Sequence, residues 1–171
     1  MASDDERMLR AAAAGDRVAL ATFVRETQDH VWRYCAYVGS GTDVADLVQE
    51  TYLRALRALP SFEGRCDGRV WLLSIARRVC ADAIRAAQRR RSLDAVWRKE
   101  QAASDPAESV VIAALVQRLA PERREAFVLT QIVGLPYADA ATVCGVPIGT
   151  VRSRVARARE DLQNAWRAAA G

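Results

Sequence analysis

Residues 137–154 read Tyr137-Ala-Asp-Ala-Ala-Thr-Val-Cys-Gly145-Val-Pro-Ile-Gly-Thr-Val-Arg-Ser-Arg154, the spacing of a short helix, a glycine-bearing turn and a second helix. At about 100° per residue the second helix places Ile148, Val151, Val155, Ala158, Leu162 and Trp166 on one stripe. Gly149, Thr150, Arg152, Ser153, Ala156 and Arg157 fall opposite, over its first turns. Small side chains at a helix start admit close approach to a major groove, and an arginine there can bond guanine O6 and N7 together. The backbone N–H groups at the same end suit a phosphate. The plainer alternative is an amphipathic C-terminal helix that only packs.

Outward from this segment, helical periodicity is nearly continuous and strand patterns are scarce, so an all-α fold is expected. Ser3 can cap a first helix that ends near Gly15, and Asp16 a second that carries Leu20, Phe23, Val24, Val31, Trp32 and Cys35 inward and stops at Gly39-Ser40-Gly41. A third spans about 42–59 and is halted by Pro60; a loop over 60–68 then leads into a fourth at about 69–91. Periodicity fades over 92–104. Asp105-Pro106-Ala107-Glu108 supplies an N-cap carboxylate, a proline at the first helical position and a glutamate three residues on. Helices are expected at about 106–119, 121–133, 136–143 and 147–168. The expected organisation is therefore two small helical domains, 1–91 and 109–171, joined by a flexible linker over 92–108, with the helix-turn-helix in the second.

The chain has 171 residues, with 25 Lys+Arg against 21 Asp+Glu, and 51% of its residues are apolar. Disordered and collagen-like classes are excluded by this composition. The longest uncharged run, Ala126 to Ala138, falls short of the roughly 20 apolar residues that a membrane span needs. The acidic start, Met-Ala-Ser-Asp-Asp-Glu, lacks the basic and then apolar pattern of a secretory signal, so a cytoplasmic location is expected. Cys35, Cys66, Cys80 and Cys144 are widely spaced and His30 is the lone histidine; they read as reduced thiols, and neither a metal site nor a cofactor is expected. No nucleophile-base pair or glycine-rich phosphate loop points to catalysis.

Charge is unevenly distributed. Residues 1–50 hold five arginines and nine acids, residues 77–99 eight basic residues and two acids, and residues 147–171 five basic residues and two acids. Two separated basic patches suit a polyanion touched at two places; a solvated arginine-rich helix face is the plain reading of each.

On the third helix Val44, Leu47, Val48, Thr51, Tyr52 and Ala55 form the arc expected to be buried. Asp43, Asp46, Gln49, Glu50, Arg54 and Arg57 ring Leu53 on the other. An exposed leucine inside a polar rim is either an interface anchor or chance. On the fourth helix Leu72, Leu73, Ala76, Val79, Cys80, Ala83 and Ile84 point one way. Arg77, Arg78, Arg85 and Arg89 point the other, with Trp71 on the basic side. An aromatic among arginines beside a glycine-bearing loop is what unstacked bases require; Trp71 at a helix start can equally fold back into the core.

Taken together, these segments resemble the extracytoplasmic-function sigma factors, two-domain initiation factors of bacterial RNA polymerase. The segment Asp43-Val-Ala-Asp-Leu-Val-Gln-Glu-Thr-Tyr-Leu-Arg-Ala55 is similar to their D-x-x-D-L-x-Q-E-T-F-x-R-A signature. Phe62-Glu-Gly with Trp71-Leu-Leu-Ser-Ile-Ala-Arg77 and Asp82-Ala-Ile-Arg85 is similar to the block that follows it. Leu119 to Leu129 and Gly145 to Arg159 look like region four. The resemblance implies that Asp46, Gln49, Glu50, Leu53 and Arg54 dock on the clamp coiled coil of core RNA polymerase. It implies that the loop from Ser61 to Arg69, with Phe62, Gly64 and Arg65, holds a base flipped from the minus-10 element beside Trp71, and that Arg78, Asp82, Arg85 and Arg89 line its flank. Gly149, Thr150, Arg152, Ser153 and Arg157 then meet minus-35 duplex DNA, residues 91–108 thread toward the polymerase active centre, and helices near 109–133 engage the flap tip. Arg78 stands where many members carry Asn, and Pro136 replaces a capping Ser ahead of the helix-turn-helix.

The function implied is promoter-specific transcription initiation, with core RNA polymerase and promoter DNA as partners; an anti-sigma factor is a further partner the residues leave open. Two other readings stand beside it: a helix-turn-helix regulator acting without polymerase, and a helical module whose basic faces pair with an acidic protein.

Overall fold

The computed structural model describes residues 4–39, 42–93 and 107–170. Among these the chain is helical throughout: α1 Asp4–Ala13, α2 Arg17–Val38, α3 Val44–Ala58, α4 Gly68–Leu93, α5 Ala107–Arg118, α6 Pro121–Phe127, α7 Tyr137–Cys144 and α8 Ile148–Ala170. The all-α expectation holds. Of the Gly39-Ser40-Gly41 stop, Gly39 ends α2 with its N–H on the Cys35 carbonyl; residues 40 and 41, the cap expected of Ser3, the Asp105-Pro106 start and most of the 92–108 linker lie outside the described residues.

Local signals set most boundaries. Asp16 Oδ1 accepts from the backbone N–H groups of Val18 (2.9 Å) and Ala19 (3.0 Å), and Asp43 Oδ1 from that of Ala45 (2.7 Å), so the exposed first-turn donors of α2 and α3 are satisfied. Gly145, at φ 67°, takes the left-handed conformation that ends α7 and turns the chain into α8. Two boundaries differ from expectation. Pro60 does not end α3 abruptly but sits inside a single 3₁₀ turn, Leu59–Ser61. The predicted 121–133 helix widens after Phe127 into a π turn, Val128–Ile132, in which Val133 N–H donates to the Val128 carbonyl at 2.8 Å.

Helices α1 to α4 bury Leu9, Phe23, Val31, Tyr34, Cys35, Leu47, Thr51, Ala55, Leu72, Leu73, Ala76, Val79 and Cys80. Helices α5 to α8 bury Val116, Leu119, Ala126, Leu129, Val143, Val151, Val155 and Ala158. At about 25 cal/mol per Å² of apolar surface removed from water, such packing is the main stabilising term. The third-helix arc is placed as read, with Leu47, Thr51 and Ala55 buried and Val44, Val48 and Tyr52 packed at their edge. Three apolar residues read as inward are not: Trp32 is 49% exposed, Trp166 55% and Ile148 38%. Each lies at the edge of its stripe, where the facing helix no longer covers a side chain.

The two groups of helices pack through α2 and α4 against α5 to α7, and one carboxylate ties them at the centre. Glu125 of α6, buried, accepts from the Tyr34 hydroxyl at 2.9 Å and from Arg77 Nε at 2.7 Å through Oε1. Arg77 therefore faces α6, not the basic side of α4 where the periodicity put it. Gln117 Nε2 adds a bond to the Tyr37 carbonyl at 2.9 Å. Burial, then the Glu125 charge, holds the Tyr34 phenol well above its ordinary pKa. The same two causes push the Cys144 thiol up to about 12. Cys35 and Cys80 lie in the core with sulfurs 3.9 Å apart, and among the described residues all four cysteines are free thiols.

Removing Glu125 leaves the Tyr34 hydroxyl buried without its acceptor. Glu125→Ala is expected to lower unfolding stability by about 2 kcal/mol, with Tyr34→Phe costing less because donor and need vanish together. Urea denaturation followed by circular dichroism measures both; equal stability of Glu125→Ala and the unaltered chain would contradict this account of the contact.

Candidate nucleic-acid and polymerase interfaces

Three surfaces carry the residues singled out by sequence. On α3, Asp46, Gln49 and Arg57 are exposed, Glu50 and Arg54 half-buried, and Leu53 is 40% exposed in their midst, with Leu56 (44%) one turn toward the C-terminus on its flank. The α3 periodicity dictates this, because Leu47, Thr51 and Ala55 occupy the core side. Arg54 is not a free rim charge: its guanidinium bonds Glu50 Oε1 at 2.7 Å on its own helix and Asp82 Oδ2 at 2.7 Å on α4.

Asp82 also takes Arg85 Nη2, at 2.5 Å. Hydrogen bonds from the two guanidiniums, Arg54 first, hold the Asp82 carboxyl below the usual carboxylate range. Asp82 thus fixes an arginine on each of two faces. These groups are substantially exposed, so the pairs set geometry more than stability. Arg78, Arg85 and Arg89 are exposed along α4, and Arg85 is paired with Asp82.

The second surface is the loop ahead of α4. The Phe62 and Trp71 rings lie 5.2 Å apart between centroids, at an interplanar angle of 59°. With Ser61, Glu63, Gly64, Arg65 and Cys66 they line an open hollow of about 160 Å³. Glu63 pairs with Arg65. Trp71 is half-buried and also lines an apolar cavity of about 290 Å³ between α1, α2 and α3, shared with Leu9, Phe23, Tyr52 and Leu56. Trp71 therefore packs inward on one side and walls the loop on the other.

The third surface is the start of α8. Gly149, Arg152, Ser153 and Arg157 are exposed and Thr150 is half-buried, while Val151, Val155 and Ala158 anchor the opposite side. A Cβ on Gly149 would meet nothing within 4 Å, so packing does not require glycine there. Ser153 Oγ donates to the Thr150 carbonyl at 2.9 Å. Ahead of it, α7 forms although Pro136 supplies no side-chain cap; the Ala140 N–H closes on the Pro136 carbonyl at 2.9 Å.

Sequence reasoning missed two contributors. These are the buried Glu125 and the side chains of α1; both act through partners more than 45 residues away, for which no local pattern exists.

Comparison with known proteins identifies the family. Sigma-70 region 2 matches residues 23–90 and sigma-70 region 4 matches residues 109–162. The chain is 44% identical over 170 residues to the ECF RNA polymerase sigma factor SigC of Mycobacterium tuberculosis, covering 94% of this chain and 92% of that one. This chain belongs to the ECF sigma factors. It is also 31% identical over 178 residues to the ECF RNA polymerase sigma-E factor of Escherichia coli, covering 94% and 93%. Among solved structures it is similar to CnrH in complex with the cytosolic domain of CnrY, with TM-score 0.78 and 28% identity over 97% of this chain and 99% of that one. It is similar too to the sigma factor RpoE of Bartonella quintana in complex with the anti-sigma factor NepR, with TM-score 0.71 and 31% identity over 84% and 95%. As a sigma factor the chain serves promoter-specific initiation with RNA polymerase. A regulator working without polymerase is not favoured, because the likeness spans α2 to α4 as fully as the helix-turn-helix. Among the described residues no helix is long and apolar enough to cross a membrane.

Because the indole of this sigma factor is half inside the core, Trp71→Ala should cost about 2 kcal/mol in urea denaturation, less than the roughly 3–5 kcal/mol of a fully buried aromatic. An unchanged midpoint would show that the indole contributes nothing to the packing.

Proposed function

We propose that this sigma factor divides initiation among the three surfaces. The α3 face around Leu53 docks on the clamp coiled coil of core polymerase. The loop over 61–69, Trp71 and the arginines of α4 capture an unpaired minus-10 base, and α8 reads the minus-35 duplex through Arg152, Ser153 and Arg157. The working units are residues 1–91 and 109–171, with 92–108 as the tether, and α5 and α6 engage the flap tip. The observation that carries this reading is the joined surface of α3 and α4: an exposed leucine in a polar rim, tied through Arg54 and Asp82 to a row of arginines beside a pocket walled by aromatics.

The work done is binding. Opening duplex DNA costs about 1.4 kcal/mol of stacking per step, and stacking a freed base on an aromatic returns about 1–3 kcal/mol. Promoter elements some 25 base pairs apart are separated by about 85 Å of duplex, whereas a globule of this length has a radius of gyration near 16 Å, by the ordinary scaling for about 170 residues. Reading both at once therefore requires α5 to α8 to leave α2 and α4 and the Glu125 contacts to break. RpoE of Bartonella quintana is in complex with the anti-sigma factor NepR and CnrH with the cytosolic domain of CnrY; an anti-sigma factor that favours the closed form is the partner this chemistry suits.

Leu53→Asp is expected to abolish co-purification with core polymerase while leaving the circular dichroism spectrum and unfolding midpoint unchanged; retained binding would move the docking face elsewhere. Arg152→Ala should weaken binding to the preferred minus-35 duplex by about 1–3 kcal/mol and spare unrelated duplexes. An equal loss on every sequence would make Arg152 a phosphate contact.

A further inference from the structure

Helix α1 lies outside both matched regions, which begin at residue 23; it packs mainly on α2, and four of its residues also reach the loop between the 3₁₀ turn and α4 and the first residues of α4. Leu9, 1% exposed, packs against Gly68, the first residue of α4. A Cβ at Gly68 would stand 2.8 Å from Leu9 Cδ1 and 2.9 Å from the Asp5 carbonyl oxygen, so only glycine lets the α1 backbone come this near. Asp5, one turn before Leu9 and 6% exposed, pairs with Arg69 at 3.3 Å. One residue further round, Glu6 and Arg10 form a second pair at the same spacing: Glu6 Oε1 accepts from Arg10 Nε at 3.0 Å and from Nη2 at 2.9 Å. That oriented guanidinium donates to the Glu63 carbonyl at 3.3 Å. It lies directly over Gly64, whose φ of +68° belongs to the left-handed region and whose missing side chain leaves the space Arg10 and Glu6 fill.

We propose that α1 is a clamp that holds the 61–69 loop in the shape that receives an unpaired base, with Arg10 and Leu9 as positioning residues. This rests on the reading of that loop as the minus-10 capture site. A free loop must be ordered when a base enters it, and that ordering opposes binding; a loop already fixed from behind at Glu63, Gly64, Gly68 and Arg69 binds without it. The α1 contacts lie on backbone and on the loop's flank, leaving the hollow lined by Phe62, Arg65 and Trp71 open. Helix α1 thus shapes the site without touching its occupant.

The test uses holoenzyme assembled from core polymerase and the full chain, and the probe is single-stranded non-template DNA from a promoter mapped with that holoenzyme, either intact or abasic at one minus-10 position. The unaltered holoenzyme should prefer the intact strand at one such position. Arg10→Ala should bind the intact strand about threefold to tenfold more weakly and lose most of that preference. Its affinity for core polymerase and for minus-35 duplex should be unchanged. Gly68→Ala, which pushes α1 off the backbone, should do the same, and Arg7→Ala, on α1 but paired with Asp4, should behave as the unaltered chain. Undiminished preference in both Arg10→Ala and Gly68→Ala, with preference intact in the unaltered chain, overturns the clamp and leaves the capture site standing. No preference at any position in the unaltered holoenzyme overturns the capture reading and the clamp together.

Discussion

The exposed faces of α3 and α4 and the loop between them are all placed by the burial of α4. Its inner side, Leu72, Leu73, Ala76, Val79 and Cys80, is almost wholly removed from water, and helices α1, α2, α3 and α7 all pack on it. That burial leaves α4 one orientation. Its first turn must then meet the loop that carries Phe62 and Gly64, its exposed side must present Arg78 and Arg85, and the α3 helix packed beside it must turn Leu53 to solvent. A polar substitution at Leu72 or Leu73 would disturb the loop, the α4 arginines and the Leu53 face of α3 at once, whereas changes to the exposed residues act on one of them at a time.

Charge then refines what packing sets. Asp82 receives an arginine from each of two faces, so the Leu53 side of α3 and the basic side of α4 share an anchor. Glu125 does the equivalent between the two groups of helices, with a fully buried phenol and Arg77 on one oxygen. The difference between them lies in exposure. The Asp82 pairs stand in water and are easily exchanged for contacts with a partner, while breaking the Glu125 cluster strands Tyr34 unless water reaches it.

Much of this was readable in the sequence because it depends on neighbours along the chain. Asp16 caps α2 within three residues, Gly145 ends α7 by its own backbone freedom, and the α3 periodicity exposes Leu53. The order of segments carried the family. What sequence did not yield depends on distant pairs: Arg77 lies on the same turn as Arg78 but is drawn to Glu125, Trp32 falls past the edge of its covering helix, and α1 acquires its role from Gly64 and Gly68, more than fifty residues on. Trp71 was legible only as an alternative between core and surface, because a half-buried indole serves both.

The claim that joins these observations is that one chain both docks on polymerase and selects and opens a promoter. Run-off transcription from genomic fragments, comparing core polymerase alone with core polymerase plus this chain, tests it most directly. The account predicts discrete transcripts that appear only with the chain present, from start sites sharing upstream elements at two fixed spacings. A transcript pattern identical to that of core polymerase alone would contradict it.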